Sequence, residues 1–550
     1  MADLSIYAGR WIALTENDTV AGVGITLEDA RLAGNRTHPK DRLRLLWVSP
    51  HPPHIAVPDW PLHAIRTLLP ADTWLVGGPV RDLLLARTPH DWDFATTKQA
   101  MALARTVANH LDAAYYPLDV ERDTGRAVVR HPVTRHPITL DFAALRGDTI
   151  EADLQLRDFT INAMALNLEG RLIDPTHGQH DLQAHLIRTT NTHAFEDDPL
   201  RLLRAVRLAN SLNFRIENRT AAAIQAQAKT IHSVASERIQ IELLSLLQSS
   251  DATRGIELLD KTGLAQHTLP EVHALQAVEQ SWPHYCSDAW AHTMAALATF
   301  ETIQEQLRGN PIPAHAQRYV SIPTWAWSML NTLLIPFQTA LLDYLRTPIS
   351  SEIKREDMVK WGTLFHDTGK ATTSTRDEQG LIHFYTHPEV GAVLTRARLE
   401  QLHFPTKAVE FACTLVKSHM RLIELRKNPP GRRAAYRFYR DTGDAGVGVV
   451  LLVLADTAAV WGAKLEREHW RALLHAAQIL LQAYFERNAE VVTPQPLLNG
   501  HDLMTLGIPQ GPSIGQLLEA LREAQAVGEV ENREAAEAFV RQWQQNQNDA

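Results

Sequence analysis

Two cysteines, Cys286 and Cys413, are all that 550 residues contain. No disulfide framework can staple a fold of this size, and a cysteine-rich zinc module is excluded. So few thiols point to a reducing compartment. No charged-then-apolar leader opens the chain, and no apolar run reaches about 18 residues. A soluble, cytoplasmic protein with no membrane partner is therefore expected. Positive charge is also short: 54 Lys and Arg stand against 63 Asp and Glu, a formal net charge of −9. That is not the global signature of a nucleic-acid binder. An RNA partner would need a local basic surface, with salt-sensitive binding. Internal repeats are absent as well. What the chain does have is length and apolar residues, 45% of the total, enough for about three to five folding units.

The texture changes along the chain. Residues 1–60 read as a small α+β extension: a hairpin from Trp11–Leu14 to Val20–Gly24, a helix near Leu27–Ala33, a strand at Leu43–Val48, and a Pro-rich linker at His51-Pro52-Pro53-His54. Residues 61–190 are mixed α/β. Strands are expected at Trp74–Val76, Trp92–Phe94, Ala127–Arg130, Ile138–Phe142 and Ala163–Asn167, with a helix at Val80–Ala86. After Pro199 the pattern is amphipathic helix almost throughout. We divide this part into 191–275, 276–480 with an insertion near 309–351, and a tail from 481 to 550. The fold class expected is multidomain, a mixed α/β head followed by an all-α neck, body and tail.

Chemistry concentrates first between Gly77 and Asp93. Strand Trp74–Val76 runs into Gly77-Gly78-Pro79-Val80-Arg81-Asp82. Paired glycines let a backbone turn tightly and approach a phosphate, and the following helix start offers free N–H groups. Asp91-Trp92-Asp93 lies on the next strand. Alternation puts Asp91 and Asp93 on one face, where two carboxylates repel unless a divalent cation joins them. Hard oxygen ligands beside substrate phosphates suit Mg2+. Asp141, on the later strand, is a candidate third carboxylate. The alternative for a lone Asp-x-Asp is a solvated strand end; the preceding Gly-Gly turn favours the metal.

The run Val76–Asp82 followed by Asp91–Thr96 resembles the class II tRNA nucleotidyltransferases and bacterial poly(A) polymerases. Arg157-Asp158-Phe159-Thr160-Ile161-Asn162-Ala163-Met164-Ala165 is similar to that family's second nucleotide motif, and Asp197-Asp198-Pro199-Leu200-Arg201-Leu202-Leu203-Arg204-Ala205-Val206-Arg207 to its base-selecting helix. The resemblance implies a polymerase beta-like head in which Asp91 and Asp93 hold catalytic metals. Gly77, Gly78 and Arg81 would cradle the triphosphate, and Arg157, Asp158 and Asn162 would contact ribose and phosphates. Asp198 and Arg201 would read the base edge from one helix face, followed by Arg204 and Arg207. Asp198 before Pro199 also suits a helix start. CTP and ATP both offer an amine at the edge such a pair reads. Two positions depart from the family pattern: Asp197 stands where Glu is usual, and Leu156 where Arg is usual. The implied partners are CTP, ATP and the tRNA 3′ end.

A second constellation follows: His292, then His366-Asp367 within Leu364–Lys370, His387, His419 and Asp456. Its order resembles the HD phosphohydrolase superfamily. Imidazole and carboxylate ligands suit a divalent transition metal or Mg2+, and such a centre can activate water on a phosphoester. Its metal is left open, as is its role: hydrolysis, or merely holding tRNA. Arg426–Arg440 is the most basic stretch and interleaves aromatics, which suits phosphate contacts and stacking by Arg432, Arg433 and Arg437; a solvated helix face is the alternative. Segments Pro496–Met504 and Gly511–Gly515 resemble the family's C-terminal helices, which would hold the tRNA elbow. The leading expectation is addition of CCA, CC or A to tRNA. Poly(A) polymerase and a mainly hydrolytic HD protein are the competing readings.

Overall fold

The computed structural model describes residues 10–548 except 17–18, 49–59, 90, 133, 281–285, 287, 314–315 and 320. The His51–His54 linker lies outside the described residues. Contacts divide the chain into two units, one of Met1–Arg201 with Phe214–Thr220, the other of Leu202–Asn213 with Ala221–Ala550.

The first unit opens with a three-stranded antiparallel sheet ordered β2-β1-β3: β1 (Arg10–Leu14), β2 (Val20–Gly24) and β3 (Arg44–Val48). Helix α1 (Leu27–Thr37) connects β2 to β3. Thr26 and Asp29 start it with reciprocal side-chain-to-backbone bonds of 3.1 and 3.0 Å. It runs four residues past the predicted end at Ala33, through Gly34, and closes where the His38 N–H bonds back to the Gly34 carbonyl.

A seven-stranded sheet follows, ordered β10-β9-β4-β5-β8-β7-β6. Its strands are β4 (Thr73–Val76), β5 (Asp91–Thr96), β6 (Ala114–Asp119), β7 (Thr124–Arg130), β8 (Pro137–Ala144), β9 (Ala165–Leu166) and β10 (Leu172–Ile173). Helices α2 (Gly78–Leu84) and α3 (Ala100–His110) flank β5 in sequence. Along β5, Trp92 and Phe94 are buried, and Phe94 stacks on Phe142 of β8 with ring centroids 4.9 Å apart. Burying each such aromatic contributes about 1.5–3 kcal/mol. That burial fixes the strand's register: a slip of one residue would drive Asp91 and Asp93 into the core and expose the aromatics.

The structure departs from the expected elements in three places. The helix after the glycines starts two residues earlier, at Gly78, because Pro79 sits favourably in its first turn; Ala86 lies beyond its end with φ +55°. The predicted strand Ala163–Asn167 shrinks to β9, since Thr160–Asn162 form a 3-10 turn. β6 was not anticipated: it is an edge strand with no fully buried residue, so its sequence carries no alternation to read.

The second unit is helical. It contains α4 (Arg201–Ser211), α5 (Ser236–Gln248), α6 (Ala289–Leu307), α7 (Thr324–Leu334), α8 (Gln338–Arg346), α9 (Arg355–Phe365), α10 (His387–Gln401), α11 (Thr406–Ser418), α12 (Arg432–Thr442), α13 (Gly446–Trp461), α14 (Arg467–Phe485), α15 (Pro512–Val527) and α16 (Arg533–Asn548). A two-stranded ribbon, β11 (Ser374–Arg376) and β12 (Ile382–Phe384), precedes α10. Helices α7 and α8 fall in the 309–351 segment and are built into the core. Trp470 Nε1 donates to the Ala326 carbonyl at 3.1 Å, and the Tyr344 hydroxyl donates to the Asp444 carbonyl at 2.7 Å. Helix α13 lies at the centre, with Val449 to Ala455 fully buried. Residues 432–464 contain a stretch long and apolar enough to cross a membrane, but 89% of it is buried inside the protein. The tail has a core of its own around Leu503, Leu517, Leu521 and Val540.

Candidate active site and metal centre

In the first unit the motif residues converge on Gly77. Its φ is +76°, in the left-handed region that favours glycine. A Cβ here would stand 3.2 Å from Arg157 Nη1 and 3.6 Å from Asp93 Oδ2, so cation and carboxylate both close on the bare backbone. Arg81 spans 81 positions in sequence to donate from Nη1 to Asn162 Oδ1 at 2.8 Å, and it also grips Asp82 at 2.8 Å. Asp158 accepts from the Phe159 N–H at 2.8 Å and from Asn162 Nδ2 at 3.2 Å. The buried Asp153 holds Arg157 through Nε at 3.0 Å. Gly78 sits beside Arg81: a Cβ there would lie 3.6 Å from Arg81 Nη2.

The carboxylates occupy the face of β5 opposite the buried aromatics. Asp91 is exposed and bonds the Thr139 hydroxyl; Asp93 is half-buried. Parallel pairing of β5 and β8 sets Asp141 beside Asp93, and antiparallel pairing of β8 and β7 sets Arg126 beside Asp141. Arg126 clamps Asp141 with two bonds of 2.7 Å. Its guanidinium is held above its ordinary value by that bond and by the charges of Asp141, Asp91 and Asp93. Asp141 therefore carries a counter-cation that sequence reasoning missed; only the register of the β7–β8 hairpin reveals it. The open, hard-oxygen face of Asp91 and Asp93 suits Mg2+.

The base-reading pair is not arranged as expected. Asp198 lies before the helix, in extended backbone at φ −153°, and does not share a helical face with Arg201. It caps the helix, as its place before Pro199 suits: its Oδ1 accepts from the Leu200 N–H at 3.2 Å, and its carbonyl from the Arg201 N–H at 3.0 Å. Pro199 between them cannot continue a helix from the preceding turn, which is the physical reason. Arg201 is buried and donates to the Ala194 and Leu156 carbonyls, both at 3.1 Å. Further along α4, Arg204 is exposed, and Arg207 pairs with Glu242 of α5.

In the second unit all six residues of the His/Asp set meet in one buried cluster. Donor atoms of His292, His366 and Asp456 lie within 4.8 Å of one another, as do those of Asp367, His387 and His419. Asp367 lies between the trios. Its Oδ2 is 3.3 Å from both His292 Nε2 and His366 Nε2, and its Oδ1 is 3.5 Å from His387 Nε2 and 4.0 Å from His419 Nε2. Asp456 Oδ1 is 3.0 Å from His292 Nε2. Three rings are aimed from behind: the Nδ1 atoms of His366, His387 and His419 meet the carbonyls of Thr363, Phe384 and Val416 at 2.8, 2.7 and 2.6 Å. A carbonyl only accepts, so each Nδ1 carries the hydrogen and each Nε2 faces inward as a ligand. Gly369 makes the assembly possible, since a Cβ there would collide with the His387 carbonyl at 2.1 Å.

Electrostatics support a cation. Burial, with His366 and His387 alongside, drives His419 down to about 3, and burial also lowers His387. Both rings are then neutral, with Nε2 lone pairs facing each other at 3.1 Å. Two lone pairs at that distance repel unless a positive ion lies between them. Burial alone would lower His366, but Asp367 and Asp456 outweigh it and raise it to about 10. Asp367 and Asp456 sit well below the carboxylate range: burial opposes this, but the facing imidazoles, and Lys370 at Asp367, overcome it. Lys370 Nζ reaches Asp367 Oδ2 at 2.7 Å and Gln280 Oε1 at 2.7 Å, fixing the carboxylate. The donor set fits divalent transition metals.

The basic stretch is organised differently from the expected RNA face. Tyr436, Phe438 and Tyr439 of α12 are buried and offer nothing to stack on. Arg433 pairs with Glu523 at 3.1 Å and Glu529 at 2.8 Å, Arg437 with Glu523 at 2.6 Å, and Arg432 with Glu490 at 3.7 Å. Helical periodicity turns the aromatics inward and the arginines toward acidic residues of the tail.

A head whose carboxylate strand faces a phosphate-shaped glycine turn, with a separate His/Asp centre in a helical body, defines a nucleotidyltransferase carrying an HD-type domain. Sequence comparison agrees: residues 73–188 match the Poly A polymerase head domain, 213–276 the "Probable RNA and SrmB- binding site of polymerase A", and 342–475 the HD domain. His292 lies outside that last match, yet the structure brings it to the centre. An A-adding tRNA nucleotidyltransferase of Deinococcus radiodurans is 34% identical over 86% of this chain and 96% of its own length. A CC-adding tRNA nucleotidyltransferase of Thermus thermophilus is 33% identical over 86% and 94%. The chain belongs to the tRNA nucleotidyltransferase family. Its fold is similar to that of a CCA-adding enzyme solved in complex with CTP, with a TM-score of 0.55 at 19% identity, covering 87% of this chain and 94% of that one.

Proposed function

We propose that the protein extends the 3′ end of tRNA without a template, adding CMP, AMP or both from CTP and ATP. The observation that carries this reading is the convergence of Asp93, Arg157, Arg81 and Asn162 around Gly77. The terminal RNA hydroxyl attacks the α-phosphorus and pyrophosphate leaves. Asp91 and Asp93 would hold divalent ions, Mg2+ in this reading, which when bound supply activation of the hydroxyl and charge relief at the leaving group. Gly77 and Gly78 admit the triphosphate against the backbone, while Arg81 and Arg157 meet its charge from positions already braced by Asp82 and Asp153. Asp198 and Arg201 would read the amine-bearing edge that cytosine and adenine share. Arg201 spends part of its donor set on two carbonyls, which fixes the direction of the rest.

The relatives divide by nucleotide, A-adding at 34% identity and CC-adding at 33%, so product analysis decides the nucleotide. Purified protein is offered tRNAs ending at the discriminator base, at C and at CC, with labelled CTP or ATP. Both nucleotides incorporated means CCA addition, one alone means CC or A addition, and long A tails mean a poly(A) polymerase. No incorporation by folded protein overturns the proposal.

A second activity is favoured by one observation: Asp367, His387, His419 and Asp456 of the cluster line a pocket of about 410 Å3. We read it as a phosphoester hydrolase site whose two trios, His292, His366 and Asp456 with Asp367, His387 and His419, would hold divalent ions that supply activation of water. Phosphate release from 3′-phosphorylated or 2′,3′-cyclic nucleotides in Mn2+ tests this; it should survive Asp93→Ala and vanish in His366→Ala.

A further inference from the structure

The pocket above the His/Asp cluster has two cations in its lining, Lys370 and Arg426. They are in opposite situations. Lys370 is committed to Asp367 and Gln280, both at 2.7 Å, and is buried. Arg426 is half-buried and has no carboxylate among its described contacts; its Nη1 donates to His469 Nε2, a neutral acceptor. The imidazole packs against the ring of Trp461, centroids 4.9 Å apart, and Trp461 also lines the pocket. Burial with no compensating anion lowers the guanidinium, and burial plus the facing Arg426 lowers His469.

A partly desolvated guanidinium held by a neutral ring, in the wall of a pocket lined by the His/Asp cluster, is placed to receive an anion. Its planar donors match phosphate oxygens two at a time. The pocket volume falls in the range of small-ligand sites, enough for a mononucleotide and not for a folded RNA. Aromatic and aliphatic side chains complete the walls: Tyr385, Phe384, Ile423 and Trp461.

We propose that Arg426, positioned by His469 and Trp461, is the phosphate-recognition residue of the HD pocket, and that the pocket takes a nucleoside monophosphate or an ester of that size. This rests on the reading of the cluster as a phosphoester site, but binding tests it separately from turnover. The full-length protein, loaded with Mn2+, is titrated calorimetrically with inorganic phosphate, AMP and adenosine. A charge-assisted bond of this kind is worth roughly ten- to a hundredfold in affinity. Arg426→Met should weaken phosphate and AMP by at least about tenfold and leave adenosine unchanged, while Arg426→Lys should recover part of the loss. His469→Ala should fall between wild type and Arg426→Met, as a positioning residue would. Metal content and incorporation by the head should be the same in all variants, which separates recognition from misfolding. Equal AMP affinity in wild type and Arg426→Met overturns the proposal, as does an equal loss for adenosine or a wild-type pocket that binds neither phosphate nor AMP. Tight, Arg426-dependent binding without hydrolysis sustains the receptor and removes only the hydrolytic reading.

Discussion

The two chemical centres of this chain are built on opposite plans. In the head, Asp91 and Asp93 stand at a strand face open to solvent, and Asp141 is already neutralised by Arg126. In the helical body, six His and Asp side chains, each at most 8% exposed, gather in one cluster with three rings aimed by backbone carbonyls. The lesson concerns how each centre is organised. The first presents an open carboxylate face; the second is organised by folding, its buried carboxylates balanced by the facing imidazoles and Lys370.

Breaking one centre should therefore spare the other, and the largest effect should come from the head. Asp93→Ala is expected to lower nucleotide incorporation at least about a thousandfold, the scale of losing several kcal/mol of charge stabilisation. Metal content of the body, read by mass spectrometry, should not change. A parallel loss of body metal would collapse the contrast. Next in size, Asp367→Ala should strip the bound ions and abolish the stabilisation by Mn2+, about 2.7 kcal/mol at a hundredfold excess over Kd, as seen in the metal dependence of Tm. Incorporation should stay within about twofold of wild type, since the head does not use this residue. Gly77→Ala would sharpen the comparison from the other side. A left-handed backbone costs an L-residue roughly 1–2 kcal/mol, and the new methyl would press on Arg157 Nη1 at 3.2 Å. KM for the nucleotide should rise about tenfold with little change in the body's metal affinity. The smallest effect is expected from Glu523→Gln, which removes the shared partner of Arg433 and Arg437. Exposed pairs of this kind contribute little, so Tm should fall by less than about 2 °C, with the difference gone at high salt.

How much of this was legible in the sequence follows the range of the interaction. Asp91 and Asp93 on one face follow from strand alternation over three residues, and the buried Trp92 and Phe94 enforce it. The six-residue His/Asp cluster was readable because its order survives any folding of the intervening chain. Arg126 was not readable, because its meeting with Asp141 depends on hairpin register that neither strand specifies alone. The α12 arginines misled for a similar reason. Their glutamate partners lie 86 or more residues downstream at Glu523 and Glu529, while the aromatics between them are turned inward by helical periodicity. Asp198 departs through its backbone: a fixed spacing of three suggested one helix face, but the residue before Pro199 is extended, at φ −153°, so the break falls between the two residues.

Helix α13 has a consequence for how the chain is made. Read as a nascent segment, its run of valine, leucine and alanine resembles a stop-transfer sequence. Asp456 interrupts that run two-thirds of the way along the helix. A carboxylate near the middle of a spanning helix costs roughly 2.5–3.5 kcal/mol on insertion into a bilayer. The residue that completes a buried His/Asp trio in the finished protein thus also biases the segment, while it is still unfolded, away from lipid and toward the core that will surround it.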